Sequence, residues 1–162
     1  MSEIVLERGG PGDVDVVRSA LYLAISWTGN PEIPPFEEAM EQPDVACYHQ
    51  GWGRPGDIVV KALAGEDVVG AAFARRFSDE DHGHGFVDEA TPELGIGVHA
   101  DFRRRGIGRR LMTELAEAAR AEGITRLSLS VNNVNPSKCL YNSLGYRTVA
   151  DNGESSTMVL EL

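Results

Sequence analysis

The chain has 162 residues, of which 42% are hydrophobic and 25% charged, as in an ordinary globular domain that buries its own core. Its 25 acidic side chains outnumber its 15 basic ones, and the formal net charge is −10. Because an acidic surface repels phosphate backbones, this balance argues against nucleic-acid binding and suits a cationic or amine-bearing partner.

The N-terminal residues 1–5 lack the basic segment and apolar run of a signal peptide. The longest near-apolar stretch, residues 68–74, is too short to cross a bilayer. Two cysteines, Cys47 and Cys139, do not make a disulfide framework. We therefore expect a single domain over residues 1–162, located in the cytoplasm and not in a membrane.

The first third of the chain predicts one strand followed by helices. Residues 4–7 form a short apolar strand, and Asp13 is placed to cap a helix. The apolar positions of that helix recur at helical spacing, at Val14, Val17, Leu21 and Ile25. A second short helix is expected over 36–40, and residues 42–57 are expected to be irregular.

The rest of the chain alternates strands and helices. The apolar runs 58–64 and 68–77 flank Gly65-Glu66-Asp67 and predict a hairpin. The elements expected after it are strand 92–99, helix 106–122, strand 127–131, helix 136–144 and strands 145–149 and 157–162. On the surface of helix 106–122, Arg110 and Glu114 are one turn apart and are expected to pair. This order predicts an α/β fold with one mixed sheet covered by helices.

The segment 93–110 carries the clearest chemical signal, because a strand ends there and a basic loop leads into a helix opened by Gly106 and Gly108. The first N–H groups of a helix have no intrahelical partner, and the helix dipole adds positive charge. Glycines let a bulky phosphate approach the backbone. Five of the 15 basic residues lie within these last eight positions, at Arg103, Arg104, Arg105, Arg109 and Arg110. The segment predicts an anion site, against the alternative of a solvated basic helix start.

Two common phosphate sites do not fit this segment. A mononucleotide loop needs Gly-Lys-Ser/Thr, which is absent, and a dinucleotide fingerprint needs three glycines where only two are present. Instead, residues 103–108, Arg-Arg-Arg-Gly-Ile-Gly, resemble the pyrophosphate motif of the GNAT superfamily of acetyl-CoA-dependent N-acetyltransferases. A second motif of that family matches residues 135–146, from Asn135 through Leu140-Tyr141 to Leu144-Gly145-Tyr146.

The resemblance covers residues 55–162 well, whereas the first part fits only the family's general opening of a strand and helices. The chain also looks like a bacterial branch with a Trp-Gly-Arg-x-Gly-Asp segment at 52–57 and Thr-Pro-Glu-Leu at 91–94. The family resemblance implies a GNAT-like, largely antiparallel sheet of about six to seven strands, flanked by about four helices, with a splayed central pair of strands. Formation of a homodimer is an open alternative, because members of this family often pair through their terminal strands.

The resemblance also implies which residues bind the cosubstrate, acetyl-CoA. Backbone N–H groups would hold the pyrophosphate from Arg104, Arg105, Gly106, Ile107, Gly108 and Arg109. The side chains of Arg103 and Arg104 would support it. The pantetheine arm would bond to the backbone of Gly97 and Val98 in the gap beside the splayed strand, and Asn135 would bond the arm or shape its loop.

For catalysis, the resemblance implies that Tyr141 protonates the departing CoA thiolate; the alternative is a packing tyrosine. Glu93 is the candidate base for the amine, against a solvated strand-end charge. His99 is a second candidate base, although stabilising the phosphate loop suits its position better. His82 and His84 lack further ligands at metal spacing, so no metal is expected, and their loop is expected to border the acceptor pocket.

The predicted function is transfer of the acetyl group of acetyl-CoA to a primary amine of a small molecule by direct attack on the thioester. Two alternatives stay open. One is a protein or peptide N-acetyltransferase, and the other is a non-catalytic module that binds acyl-CoA and regulates a partner.

Overall fold

Seven strands and five helices make up residues 3–162, which are the part of the chain that the computed structural model describes. The strands are β1 (Ile4–Arg8), β2 (Ile58–Ala64), β3 (Asp67–Arg75), β4 (Glu93–Val98), β5 (Arg126–Asn132), β6 (Arg147–Asp151) and β7 (Ser155–Glu161). The helices are α1 (Val14–Ile25), α2 (Phe36–Glu41), α3 (Pro43–Ala46), α4 (Ile107–Ala121) and α5 (Ser137–Ser143).

All seven strands belong to one sheet with the order β1-β2-β3-β4-β5-β7-β6. Every neighbouring pair is antiparallel except β4 and β5, which are joined by the α4 crossover and run parallel. The mixed, largely antiparallel sheet predicted from the sequence is therefore confirmed.

The sheet separates two hydrophobic cores. On one face, Leu111 and Leu115 of α4 pack with Ala72 and Leu127 of the sheet. On the other face, residues from α1, α2 and the segment after α3 surround Phe73 of β3. Each fully buried aliphatic or aromatic side chain contributes roughly 1.5–3 kcal/mol of transfer free energy, so both layers hold the strands in place.

Helix α4 connects the two strands that matter most for the site. Its apolar residues recur every three or four positions and are buried, at Ile107, Leu111, Met112, Leu115, Ala118 and Ala119. The left-handed backbone of Gly106, with φ of 78°, starts the helix, and Gly123, with φ of 79°, follows its end. The end of the loop before α4 and the start of β5 are therefore fixed by local sequence.

Four local predictions were wrong. Residues 42–57 are not wholly irregular, because they contain α3. Asp13 precedes α1 but does not cap it with its side chain, which instead accepts a hydrogen bond from the Gly10 amide and pairs with Lys61. The penultimate strand begins two residues late, as β6.

The fourth error concerns α4, where Glu114 pairs with Arg8 of β1 while Arg110 donates to the Ile4 carbonyl. Both side chains reach a neighbouring strand rather than each other.

No helix within residues 3–162 is long and apolar enough to span a membrane.

Candidate active site

The central feature of the sheet is a gap between β4 and β5. The two strands share a single paired position, Glu93 with Ser128, next to a 2.9 Å hydrogen bond from the Ser128 amide to the Pro92 carbonyl. Beyond that point β5 stays paired with β7 along its whole length, while β4 stays paired with β3. The strands therefore diverge towards their C-terminal ends, with Glu93 at the apex of the gap.

The register decides which backbone groups of β4 face this gap. The His99 amide donates to the Val69 carbonyl of β3 at 2.8 Å, and Gly97 lies opposite Ala71 two residues earlier. Because donors alternate along an antiparallel ladder, Gly97 directs its N–H and C=O to β3, whereas Ile96 and Val98 direct theirs to the gap. The backbone groups of Ile96 and Val98, and not those of Gly97, are therefore placed to bind an extended ligand in the gap.

Gly97 instead has a packing role. A Cβ at this position would overlap the Ala20 carbonyl of α1, and one at Gly95 would lie 2.5 Å from the Phe73 ring. The absence of side chains therefore lets α1 and Phe73 approach β4 closely. Since Glu93 shares this face of the strand, its carboxyl group points into the layer formed by α1, α2 and α3.

The loop at the open end of the gap presents a run of unpaired backbone donors. Within residues 3–162, the six consecutive amides from residue 104 to residue 109 donate to no protein acceptor, and the first α-helical hydrogen bond runs from Arg110 to Gly106. Arg104 is held with φ of 62°, in the left-handed region that non-glycine residues rarely adopt. Such a turn aims successive N–H groups at one place, as in an anion-binding nest.

The arginine side chains around this loop are exposed and serve different contacts. Arg103 donates to the Val98 carbonyl at 3.1 Å, which ties the loop to the end of β4. Arg105 stacks on Phe102, and Arg109 donates to the Ser143 hydroxyl of α5 at 2.7 Å. His99 accepts from the Asp101 amide through Nδ1 at 3.2 Å, so it stabilises the loop. These contacts hold positive charge at the rim of the nest.

Helix α5 packs on the opposite face from Glu93. Asn135 accepts a hydrogen bond from the Ser137 amide at 2.9 Å, so it shapes the start of α5. Tyr141 is buried with the α4 core, its ring 6.1 Å from that of Tyr146, and burial raises the pKa of its phenol to about 12. The phenol therefore carries its proton throughout the physiological pH range.

Glu93 is 1% exposed and has an unusual environment for a carboxyl group. Its Oε2 accepts a hydrogen bond from the hydroxyl of Tyr48, whereas its Oε1 has no hydrogen-bond partner within the described residues. Burial raises the pKa of Glu93, although the Tyr48 hydroxyl and the nearby Gly85 amide oppose this effect. Of the two sequence readings, a solvated strand-end charge is wrong.

A loop covers this carboxyl group. A Cβ at Gly83 would overlap the Tyr48 hydroxyl, and one at Gly85 would lie 2.7 Å from the Leu129 backbone of β5 and 3.1 Å from the Glu93 carboxyl carbon. The loop is therefore pressed against both the carboxylate and the β5 edge. His82 stacks on Phe86 and His84 lies 3.4 Å from Asp44; within residues 3–162 no histidine belongs to a cluster of metal-ligating side chains.

The family model described as "Acetyltransferase (GNAT) family" matches residues 23–146, which is more than half of the chain. The chain belongs to the GNAT family of acetyltransferases. It is therefore an acyltransferase, and the resemblance seen in residues 103–108 and 135–146 is confirmed at the level of the family.

Solved structures agree with the fold of this acetyltransferase. The PaiA N-acetyltransferase of Thermoplasma acidophilum, in complex with coenzyme A, superposes with a TM-score of 0.72 at 14% identity, over 99% of both chains. A putative acetyltransferase of Salmonella typhimurium, with its cofactor acetyl-CoA, gives 0.70 at 21% identity, over 99% of this chain and 95% of the other. At these identities the likeness establishes the architecture alone.

One sequence relative adds a local match. The acetyltransferase is 41% identical over 61 residues to the [ribosomal protein bS18]-alanine N-acetyltransferase of Salmonella typhimurium strain LT2. The match spans 37% of this chain and only 40% of that relative's length.

Sequence reasoning missed two buried polar side chains beside Glu93. Tyr48 lies 45 positions before Glu93, in a segment expected to be irregular. Arg75 lies directly opposite Glu93 in the β3–β4 register and is also 1% exposed. The one available signal was an arginine within an otherwise apolar strand, because such a charge is buried only where partners compensate it.

Proposed function

We propose that this acetyltransferase binds acetyl-CoA along the gap between β4 and β5 and transfers its acetyl group to a primary amine of a small molecule. The observation that carries the proposal is the run of six unpaired amides at residues 104–109, at the open end of that gap. A diphosphate satisfies several such donors at once and is attracted by the helix dipole and the surrounding arginines. From there, an extended pantetheine arm fits the unpaired edge of β4, where its amides replace the missing strand partner.

In this proposal the thioester lies near the apex of the gap, next to Glu93. An alkylamine with a pKa of about 10.4 is neutral in roughly one molecule in a few thousand at pH 7, a handicap of about 4–5 kcal/mol. Oε1 of Glu93 has no hydrogen bond within the described residues, and it accepts the proton of the ammonium group through a water molecule admitted beside the covering loop. Its raised pKa supports this role, because a carboxylate that binds protons more readily is the stronger base.

The neutral amine then attacks the thioester carbonyl carbon, forming a C–N bond, and the nitrogen of the tetrahedral intermediate loses its surplus proton to solvent. The intermediate expels the CoA thiolate as the C–S bond breaks, and the phenolate of Tyr141 recovers from solvent the proton that the phenol gives to the sulfur. Strand N–H groups that face the gap suit the developing oxyanion. Tyr141, on the opposite face from Glu93, gives its phenolic proton to the departing sulfur, so that base and acid approach the reacting centre from two sides.

A cavity large enough for a small acceptor adjoins the loop that covers Glu93. It is polar, has a volume of about 250 Å³ and lies between His84 of that loop and the β6–β7 hairpin. It is lined by His84, Ala150, Asp151, Asn152, Ser155 and Thr157. A second cavity of about 320 Å³ is apolar and reaches Gly70 and His99. It lies at the far end of β4, about 20 Å from Glu93 at 3.3 Å per residue, too far to present an amine to it.

A protein N-terminus is the second candidate acceptor, and the local match with the bS18-alanine N-acetyltransferase favours it. A flexible N-terminal segment reaches a recessed base more easily than a folded lysine side chain does. The acidic net charge of −10 also suits a basic protein.

The variant Gly108→Ala tests the phosphate nest. A Cβ there would meet Leu140 at 3.5 Å, an ordinary contact, and alanine favours the helix, so the fold should be as stable or slightly more stable. A pyrophosphate resting on this backbone would be displaced, and calorimetry should show CoA binding weakened at least tenfold. Gly12→Ala is the matched control, since its Cβ meets nothing within 4 Å. Equal CoA affinity in both variants would remove the nest from the proposal.

The acceptor is identified by measuring thiol release from acetyl-CoA with a panel of small amines and with peptides that begin with alanine. We expect the highest kcat/KM with a small amine. A peptide that is preferred by tenfold or more would replace the small-molecule acceptor with a protein one. Tight CoA binding without any transfer would leave only the acyl-CoA-binding role.

A further inference from the structure

Glu93 is held by a neighbour that the proposed chemistry does not use. The Tyr48 hydroxyl is buried with Glu93 and donates to its Oε2. The phenol ring is fixed by edge-on contacts with Phe77 and Phe73, at centroid distances of 5.4 and 6.3 Å. Burial raises the pKa of Tyr48, so the phenol stays a hydrogen-bond donor to the carboxylate. The carboxylate therefore has one oxygen held by Tyr48 and one buried oxygen without a hydrogen bond, which lies beneath the loop at Gly83.

A second set of contacts fixes the backbone around Tyr48. Arg75 donates through Nη1 to the carbonyls of Cys47 and Gln50, at 3.0 and 2.7 Å, and these residues flank Tyr48 in the chain. The same guanidinium makes a bidentate pair with Asp57, at 3.0 and 2.8 Å, and stacks under Trp52. One buried arginine thus fixes the backbone on both sides of the tyrosine.

The Asp57 pair also determines the charge that Glu93 experiences. Opposed residues of an antiparallel pair project to the same face, so the Arg75 and Glu93 side chains enter the same layer. Asp57 is 4% exposed and occupies the guanidinium with both carboxylate oxygens, and Arg75 makes no ion pair with Glu93. The Arg75 guanidinium therefore stabilises the segment around Tyr48 and does not neutralise the Glu93 carboxylate.

We propose that Tyr48 is a positioning residue for the general base: it holds one oxygen of the Glu93 carboxylate and leaves the other without a hydrogen bond, so that this oxygen accepts the proton of the acceptor amine, and the Arg75–Asp57 pair supports Tyr48. This inference rests on the proposed role of Glu93. Tyr48 touches neither substrate and acts through the carboxylate alone.

Several groups besides Tyr48 face Glu93 and influence its titration. Arg75 lies opposite on β3 and is compensated by Asp57. The covering loop brings His82 and His84 near, and both lower the pKa of Glu93. Cys47 is also close enough for Glu93 to raise the pKa of its thiol, which burial brings to about 11. On β5, Ser128 is paired with Glu93, and its buried hydroxyl has no hydrogen-bond partner within the described residues.

The test is the variant Tyr48→Phe, which removes one hydroxyl and keeps the ring. Without this hydrogen bond the ionised form of Glu93 is disfavoured relative to the protonated form, so its pKa rises. The acid limb of the kcat/KM profile should therefore move to higher pH by about one unit. Rates on that limb should fall about tenfold, while the Kd for CoA stays within twofold. Because the ionisation of the acceptor is common to all variants, a shift between them belongs to the protein.

Tyr22→Phe is the matched control, because its hydroxyl donates to the Pro34 carbonyl in the same layer, at 2.9 Å, and does not contact Glu93. It should leave the acid limb in place. The double variant Tyr48→Phe with Glu93→Gln should be less than twofold slower than Glu93→Gln alone, since Tyr48 has no other route to the chemistry. An unmoved limb in Tyr48→Phe, or additive losses in the double variant, overturns the inference.

A readout on the resting protein separates this inference from the proposed function. In protein labelled with ¹³C at the glutamate carboxyl carbon, the resonance missing from Glu93→Gln identifies Glu93, and its titration should move upward in Tyr48→Phe without any turnover. If Glu93→Gln retains near-normal activity, the proposed base is wrong even where this titration moves. If Glu93→Gln is inactive and the titration does not move, only the role of Tyr48 is wrong.

Discussion

The two ends of β4 are built in different ways. At its C-terminal end, the proposed phosphate nest consists of one continuous segment, residues 104–109, whose amides are left unpaired by a local turn and a helix start. At its N-terminal end, Glu93 is enclosed by Tyr48, by Arg75 and by the loop around Gly83, which come from distant parts of the chain. Damage to the acceptor end should therefore spare CoA binding, whereas damage to the nest should spare the fold.

The largest effect is expected from Asp57→Ala. Removing one partner of a buried ion pair leaves Arg75 charged and uncompensated, which costs about 3–5 kcal/mol of unfolding free energy. Urea denaturation measures this loss, and the variant protein that remains folded should still bind CoA. Arg147→Ala is the control, because its pair with Glu161 is exposed and should contribute less than about 1 kcal/mol. Equal losses in the two variants would contradict the support assigned to Asp57.

Gly83→Ala should disturb the Glu93 end of β4 by steric overlap and leave the CoA-binding end unchanged. Its Cβ would overlap the Tyr48 hydroxyl, so the loop or the tyrosine must shift, at a cost of about 1–3 kcal/mol. We expect kcat to fall at least tenfold while the Kd for CoA stays within twofold, as measured by thiol release and calorimetry. A weaker CoA complex with normal kcat would show that the loop serves the cosubstrate instead.

Tyr141→Phe tests the acid. Loss of a positioned proton donor should lower kcat at least tenfold, with CoA binding retained, because the departing thiolate must then take its proton from water. The phenylalanine keeps the packing against Tyr146. Normal turnover in this variant would make Tyr141 a packing residue, which is the alternative that its burial also allows.

The smallest effect concerns stability and pH. Because the pKa of Glu93 is raised in the folded state, the stability of the wild type is greatest below the unfolded carboxyl pKa of about 4.3 and declines as pH rises through the folded value. Glu93→Gln removes this dependence and should melt a few degrees above the wild type at pH 8, with the gap closing towards pH 4. A gap of equal size at both pH values in thermal melts would contradict a carboxyl group whose pKa burial has raised.

The individual strands and helices, the α4 crossover and the glycine-opened start of α4 were predictable because each depends on residues close together in the chain. The periodicity of α4 and the glycines at its ends specify where that helix lies. Long side chains were less predictable: Glu114 and Arg110 face each other along α4 in the sequence but reach β1 in the fold. A helix-surface pair gives only a few tenths of a kcal/mol, so a neighbouring strand easily replaces it.

The sequence by itself determined the family, the order of strands and helices along the chain and the glycine-opened turn before α4, because local conformation and backbone donors depend on adjacent residues. Only the tertiary structure decided that Gly97 serves α1 rather than the gap, that Glu93 is buried, and that Tyr48 holds it. These are contacts between segments far apart in sequence. Burial and pairing set the ionisation of a carboxyl group, and neither can be read from the residues beside it.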